Sequence, residues 1–368
     1  MKIIGIDVYE HLLSYAHGHY VMSGGRDATH QASTLVRIRT DEGLEGWGES
    51  CPLAGTYLPS FVAGGVRAAL ADLAPVLIGE DPRNINAIHV RMASVLRGFT
   101  GAKAAIDVAC HDILGKSLGV PVSTLLGGVL QEDFPLYEAV PLGPPQAMAD
   151  YVMERHAAGI TFFQVKVGNR PVDDIARVRA TVAVADGATI LADSNGGWRL
   201  QDAIFAVRQL GDLQIYIEQP CETMEDNGLI RDVTTLPLVA DETVIDMPSL
   251  VAAKQIAKAG SVNLKIGRLG GIAPARRMRD AAIALGMTVT LEDSWGGDVA
   301  TAAVSHLAAT TAADAMLSTS FFNDWTLEHV APEVRPVSVH GRGAAPKLPG
   351  LGVEVDASLL GAPLFSVA

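Results

Sequence analysis

Six short apolar runs from residue 162 onward each end on a side chain that can do chemistry. They close as Gln164-Val165-Lys166, Ala192-Asp193-Ser194-Asn195, Ile217-Glu218-Gln219, Ala240-Asp241-Glu242, Asn263-Leu264-Lys265 and Leu291-Glu292-Asp293-Ser294-Trp295. From Lys166 to Glu292 the steps are 27, 25, 23, 24 and 27 residues, the length of one strand–helix unit each time. Asp193, Glu218 and Asp241 come from three successive runs. Carboxylates that converge on one rim repel unless a cation neutralises them. An oxygen-only set suits Mg²⁺, one ion per site, with Mn²⁺ as a substitute. A single acid in such a place caps the helix that follows; three in succession ask for a further reason.

Lys166 and Lys265 end the second and sixth of what are eight such runs from residue 134 onward. In an eight-stranded barrel those strands lie on opposite walls, so the two amines face each other with the acidic set between them. A dication and apolar walls are expected to lower their pKa values and leave neutral amine to act as a base. A metal-bound carboxylate has an acidified α-proton, because the cation stabilises the charge that develops as the proton leaves. One lysine takes that proton. The other returns a proton to the opposite face of the same carbon, or to a leaving group on the β-carbon. Racemase, epimerase and anti-dehydratase all remain open on this reading. A Schiff-base aldolase would use the lysine of run six and leave the three acids without a role.

The elements that must hold these groups follow from texture. Residues 3–8 and 35–40 read as strands, with a hairpin at Asp41-Glu42-Gly43, and helical patterns cover 62–78, 84–97 and 102–118. Strands followed by helices indicate an α+β unit. From Phe134 onward, apolar runs without alternation recur at 134–140, 162–167, 189–192, 215–217, 237–240, 261–266, 288–291 and 316–321. Strands buried on both faces belong to parallel sheets. Eight of them alternating with seven amphipathic segments predict a closed parallel barrel, whose C-terminal mouth is where such enzymes work. The expected division is 1–127 as an α+β cap, 128–332 as barrel, and a Pro- and Gly-rich tail, 333–368, returning to the cap.

Composition narrows the partners. With 28 basic and 41 acidic residues the net charge is −13, which argues against nucleic acid or an anionic membrane surface. The longest uncharged stretch, residues 50–66, is too short and too rich in Pro and Gly to span a bilayer. Asp7 and Glu10 interrupt any leader core, so a cytoplasmic protein is expected. Cys51, Cys110 and Cys221 fit reduced, buried small hydrophobes. Gly115-Lys116-Ser117 lacks the upstream glycine of a phosphate loop, Cys110 standing in its place, and reads as a helix end.

The order Lys, Asp-x-Asn, Glu-Gln-Pro, Asp-Glu, Lys, with Leu125-Leu126-Gly127-Gly128 at the barrel entry, resembles the enolase superfamily of mandelate racemase and muconate-lactonizing type. The resemblance implies a (β/α)7β TIM-like barrel with an α+β capping domain formed by the N-terminal third and the tail. It also implies Mg²⁺ on Asp193, Glu218 and Asp241, with Lys166 and Lys265 as acid and base. Where that family usually carries Lys-x-Lys, this chain has Gln164-Val165-Lys166. Gln-Val-Lys-Val-Gly, Asn-Leu-Lys-Ile-Gly, Glu-Asp-Ser-Trp-Gly-Gly-Asp and Leu348-Pro349-Gly350-Leu351-Gly352 are similar to members acting on proline derivatives. Two activities occur there, dehydration of cis-3-hydroxy-L-proline and 2-epimerisation of proline-type betaines. A quaternary betaine calls for an aromatic cage, for which Trp295 and Phe321 are candidates. A secondary ammonium calls for a carboxylate, for which Asp293 is the candidate. Tyr57, Gln164, Asn195 and Glu242 complete the expected substrate contacts, with Tyr20 and Gly24-Gly25 in a closing loop. The expected partner is a small amino-acid-like molecule, with a homo-oligomer left open.

Overall fold

The computed structural model describes residues 1–53 and 62–368; Tyr57 lies outside the described residues. The cap begins with three antiparallel strands, β1 (Ile3–Ser14), β2 (His30–Thr40) and β3 (Glu45–Ser50). Helices α1 (Ala63–Leu73), α2 (Ile85–Val95) and α3 (Thr100–Leu118) cover the sheet. Ile6, Val36, Ile38, Leu70, Leu73, Ile106 and Ile113 form the core between them. Helix α3 lies directly on β3 because two glycines admit it. A Cβ at Gly46 or Gly48 would meet the carbonyl oxygens of Ala109 and Ala105 at 2.3 and 1.8 Å. The helix stops at Gly119, whose φ of 68° is the left-handed cap that glycine tolerates.

Eight parallel strands follow: β4 (Glu138–Val140), β5 (Phe162–Lys166), β6 (Thr189–Asp193), β7 (Ile215–Glu218), β8 (Leu238–Ala240), β9 (Ser261–Lys265), β10 (Thr288–Glu292) and β11 (Met316–Thr319). Each pairs with its neighbours in sequence order. A bridge between Leu136 and Thr319 joins the first to the last, so the sheet closes. Seven main helices connect the strands: α4 (Pro145–Ala157), α5 (Pro171–Val184), α6 (Leu200–Gln209), α7 (Met224–Arg231), α8 (Met247–Gln255), α9 (Ile272–Ala284) and α10 (Asp298–Ala309). This is a (β/α)7β barrel. Register brings the run ends to one height, with Lys166 opposite Asp193, Asp193 opposite Glu218 and Lys265 opposite Glu292. Cys51, Cys110 and Cys221 are free and buried. Among the described residues, no helix is long and apolar enough to cross a membrane.

Two expected strands differ. The run 134–140 divides: Phe134–Pro135 pairs antiparallel with Arg342–Gly343, Leu136 bridges to Thr319, and Glu138–Val140 pairs with β5. Pro135 has no N–H to give a barrel ladder. The last barrel strand ends at Thr319 rather than 321, because Phe322–Trp325 coils into a 3₁₀ turn. The tail serves both units. Phe365–Val367 pairs with β1, while Leu351 donates its N–H to Asp112 of α3 and accepts from His306 of α10.

Two buried acids of the cap bind it to the barrel. Glu49 of β3 accepts from Gly297 N at 2.8 Å and Ala300 N at 2.9 Å, at the start of α10, and from Ser33 Oγ at 2.6 Å. Asp107 of α3 accepts from Ile272 N at 2.6 Å, at the start of α9, and faces His89 and His111. A carboxylate at a helix N-terminus meets unpaired N–H groups and the positive end of the dipole. Glu49→Ala strands these donors inside the protein. We expect a loss of about 3 kcal/mol in urea unfolding, and an unchanged midpoint would show that the contacts are dispensable.

Candidate active site

The barrel mouth gathers the charged strand ends under the cap. Lys166 Nζ lies 2.5 Å from Asp193 Oδ2, and Lys265 Nζ lies 2.5 Å from Asp241 Oδ2 and 2.9 Å from Glu292 Oε1. Arg268, on the single helical turn Ile266–Leu269 after β9, reaches Asp241 Oδ1 at 2.7 Å and Asn263 O at 2.8 Å. Glu218 accepts from Gln164 Nε2 at 2.8 Å and Asn263 Nδ2 at 2.9 Å. All of these side chains are buried. Both lysines line one small cavity with Gln164, Glu292, Ser294 and Tyr137. Tyr20 and Leu53 of the cap and Phe322 complete its wall. Strands β5 and β9, which carry the lysines, stand four places apart in the ring of eight.

Backbone geometry sets the acids in place. Asn195 and Gln219 adopt left-handed φ values of 47° and 36° just past β6 and β7. Such conformations are costly and persist only where neighbours enforce them. Asn195 is held by Asp193, to which its N–H and amide group donate, and its amide also donates to Glu242. The Gln219 side chain accepts from Asp241 N and Thr243 Oγ1 and donates to Cys221 O, bridging the ends of β7 and β8.

The electrostatics follow from burial. Glu218 is pushed up to about 8 by burial first and then by Asp193 and Asp241; Glu242 is pushed to about 7 by burial and the same two acids. Lysine at position 166 behaves opposite to the sequence expectation. Burial pulls its pKa down, but Asp193, Tyr20 and Glu218 outweigh burial and hold it above the usual lysine range. The expected lowering presumed a dication, which would compete for those carboxylates.

The donor set fits a divalent cation. Asp193, Glu218 and Asp241 are oxygen ligands close enough to disfavour one another's charge, as the rise at Glu218 shows. Asn195 Oδ1 and Glu242 Oε2, beside them, are buried oxygens with no hydrogen-bond partner. Among the described residues no three acids already stand at metal-holding spacing; lysine, arginine and amide donors engage them instead.

The other expected contacts divide. Gln164 lines the cavity, and Asn195 and Glu242 stand beside the acids. Trp295 is fully buried behind the wall, stacked on Phe322 at 5.4 Å and edge-on to Tyr20 at 5.1 Å. Phe321 points elsewhere: beyond the end of β11, its ring meets Phe134 at 6.0 Å and packs by Gly343. Its neighbour Phe322 lines the cavity instead. Asp293 also turns away, accepting from Gly267 N at 3.0 Å and Ser294 N at 2.7 Å. A Cβ at Gly267 would lie 2.6 Å from its Oδ1, so this contact requires glycine. Tyr137, Asn263, Arg268 and Ser294 were not singled out from sequence. Strand alternation was the available signal for Asn263, which shares the inward face with Lys265 two residues on.

A pH prediction follows. Glu218, Glu242 and Asp293 (pushed to about 7 by burial) bind protons more tightly folded than unfolded. The folded protein therefore carries extra protons between about pH 5 and 8, and stability falls as pH rises through that window. With chelator, the melting temperature should drop across it, and Mg²⁺ should make the drop shallower. A flat profile, or one indifferent to Mg²⁺, would contradict this account of the site.

Comparison with known proteins agrees with the architecture. Residues 18–127 match the mandelate racemase/muconate lactonizing enzyme N-terminal domain, and 147–359 the enolase C-terminal domain-like family. The cis-3-hydroxy-L-proline dehydratase of Roseibium aggregatum is 44% identical over 99% of both chains. The N-succinyl-L-Arg/Lys racemase of Bacillus cereus is 33% identical over 84% of each. A crystal structure of a mandelate racemase/muconate lactonizing enzyme type protein from Roseovarius nubinhibens, complexed with magnesium, superposes with a TM-score of 0.95 at 34% identity, covering 100% of both chains. The chain belongs to the enolase superfamily, in its mandelate racemase/muconate lactonizing branch.

Proposed function

We propose that the protein is a lyase that removes the α-proton of a small cyclic amino acid and expels water anti to it, converting cis-3-hydroxy-L-proline to Δ1-pyrroline-2-carboxylate. The observation that carries this reading is that two lysines from opposite barrel walls line one small cavity beside three carboxylates. The 44% identity to a dehydratase of that substrate supports the choice of reaction.

Asp193, Glu218 and Asp241 would hold Mg²⁺. Bound there, the ion would draw the substrate carboxylate and stabilise the negative charge that builds as the α-proton departs. Lys166 and Lys265 would then lie on the two faces of the ring. One neutral amine takes the α-proton, and the C–H electron pair becomes the new Cα=Cβ bond. The Cβ–O bond breaks on the opposite face, where the second lysine, as ammonium, gives its proton to the leaving hydroxide. The resulting enamine tautomerises to the pyrroline. Tyr20, Leu53 and the Trp295–Phe322 stack behind the wall keep water from the reacting carbon.

A second reading, 2-epimerisation of a proline betaine, draws support from the rings of Tyr20, Tyr137 and Phe322 at the cavity. Incubation in D₂O with Mg²⁺, followed by NMR, separates the two. Pyrroline from cis-3-hydroxy-L-proline is the expected result. Deuterium at Cα with inversion and no loss of water would select the epimerase, and absence of both turnover and α-exchange with either substrate would defeat both. Chelator should abolish turnover and Mg²⁺ restore it. Lys166→Ala and Lys265→Ala should each lower kcat by at least about 100-fold, measured as pyrroline release.

A further inference from the structure

We propose that Glu292 receives the ring ammonium of the substrate, in the place the sequence suggested for Asp293; this rests on the cyclic amino-acid reading above. Glu292 is the one carboxylate among the described residues lining the cavity. Asp293 does not line that cavity; its carboxylate turns instead to Gly267 N and Ser294 N.

Three donors hold Glu292, two from β9 and one from the approach to β4. Oε1 faces Lys265 Nζ at 2.9 Å and Asn263 Nδ2 at 2.7 Å, and Oε2 accepts from the Tyr137 phenol. A carboxylate offers roughly four acceptor directions, so one remains for a donor arriving in the cavity. The position suits the chemistry. The ring nitrogen is bonded to Cα, and with a lysine on each face of the ring that atom lies within the cavity, whose lining carboxylate is Glu292, 2.9 Å from Lys265.

The substrate carboxylate is drawn to the other side, toward Asp193, Glu218 and Asp241. Its ammonium, taken from water into a closed cavity, needs a counter-charge there. A secondary ammonium has N–H groups to give to the remaining acceptor direction. A quaternary betaine has none. Glu292 thus selects for cyclic α-amino acids with a free N–H, and Tyr137 positions it.

Binding measures this without turnover. L-Proline and tetrahydrofuran-2-carboxylate differ by the ring NH₂⁺ against a ring oxygen, and calorimetric titration of each into Mg²⁺-loaded protein gives a preference ratio. Wild type should prefer proline by about tenfold or more. Glu292→Gln should erase that preference while binding the oxygen ring within about threefold of wild type, and Asp293→Asn should keep it. Retention of the preference in Glu292→Gln, its loss in Asp293→Asn, or no preference in wild type would overturn the assignment. If Glu292→Gln binds neither ring, Tyr137→Phe decides: a reduced ratio supports the assignment and an unchanged one overturns it. Wild-type protein that dehydrates cis-3-hydroxy-L-proline while Glu292→Gln keeps its proline preference would defeat this inference alone. Wild-type protein inert toward proline derivatives would defeat the functional reading first.

Discussion

Burial of opposite charges at one barrel mouth is the constraint on which the rest of the structure depends. Lys166, Lys265 and Arg268 are each nearly inaccessible to water, as are Asp193, Glu218, Asp241 and Glu292. Removing a charge from water is expensive; close partners of opposite sign offset that at the Lys166–Asp193 and Lys265–Asp241 pairs, while burial favours the protonated form of Glu218 and Glu292. The partners come from different strands, so the balance can be struck only when the barrel closes in the observed register. That explains why side-chain amides, from Gln164, Asn195 and Asn263, donate to the acids. They satisfy lone pairs that a lysine or arginine cannot reach. A divalent cation held by these acids would free the lysines to address a ligand.

The cap keeps this balance dry. Tyr20 and Leu53 form part of the cavity wall, Leu142 N donates to Val21 O, and Gly24 N donates to Asn169. Beneath them, Glu49 and Asp107 enter the N-termini of α10 and α9. Helix α9 follows the segment that carries Lys265 and Arg268, so Asp107 anchors the backbone just beyond two of the three buried cations. Gly271 permits the approach, since a Cβ there would meet the Asp107 carboxyl at 2.3 Å. Cap and barrel therefore act as one object at the site, and the cap contributes to chemistry by exclusion and by fixing strand ends rather than by supplying a lysine or a metal-type acid.

Much of the site was legible in the sequence because strand ends in a parallel barrel recur at the length of one unit. Lys166, Asp193, Glu218, Asp241 and Lys265 stand out by that recurrence and by their chemistry. What was not legible depends on rotation and on distance along the chain. Whether Phe321 or Phe322 faces inward turns on β11 ending at Thr319, a one-residue matter at a change of backbone geometry. Glu292 and Asp293 are adjacent acids, and only the turn after β10 decides which enters the cavity. The caps of α10 and α9 join residues 248 and 165 positions apart, beyond any local pattern. The division of 134–140 requires the tail at Arg342–Gly343 to be known as its partner.

Gln164 shows how one neutral side chain shapes the whole balance. It stands two residues before Lys166 on the inward face of β5 and donates to Glu218. An ammonium in its place would add a fourth cation to the rim and hold Glu218 by charge rather than by a single hydrogen bond. A divalent ion would then have to displace that charge and endure its repulsion as well, since like charges at such range interact strongly in a low-dielectric site. With glutamine, Glu218 remains the least compensated of the three acids, as its upward shift to about 8 records. The rim is thus short of positive charge at the centre of the acidic set, between the two lysines, where a dication would restore it.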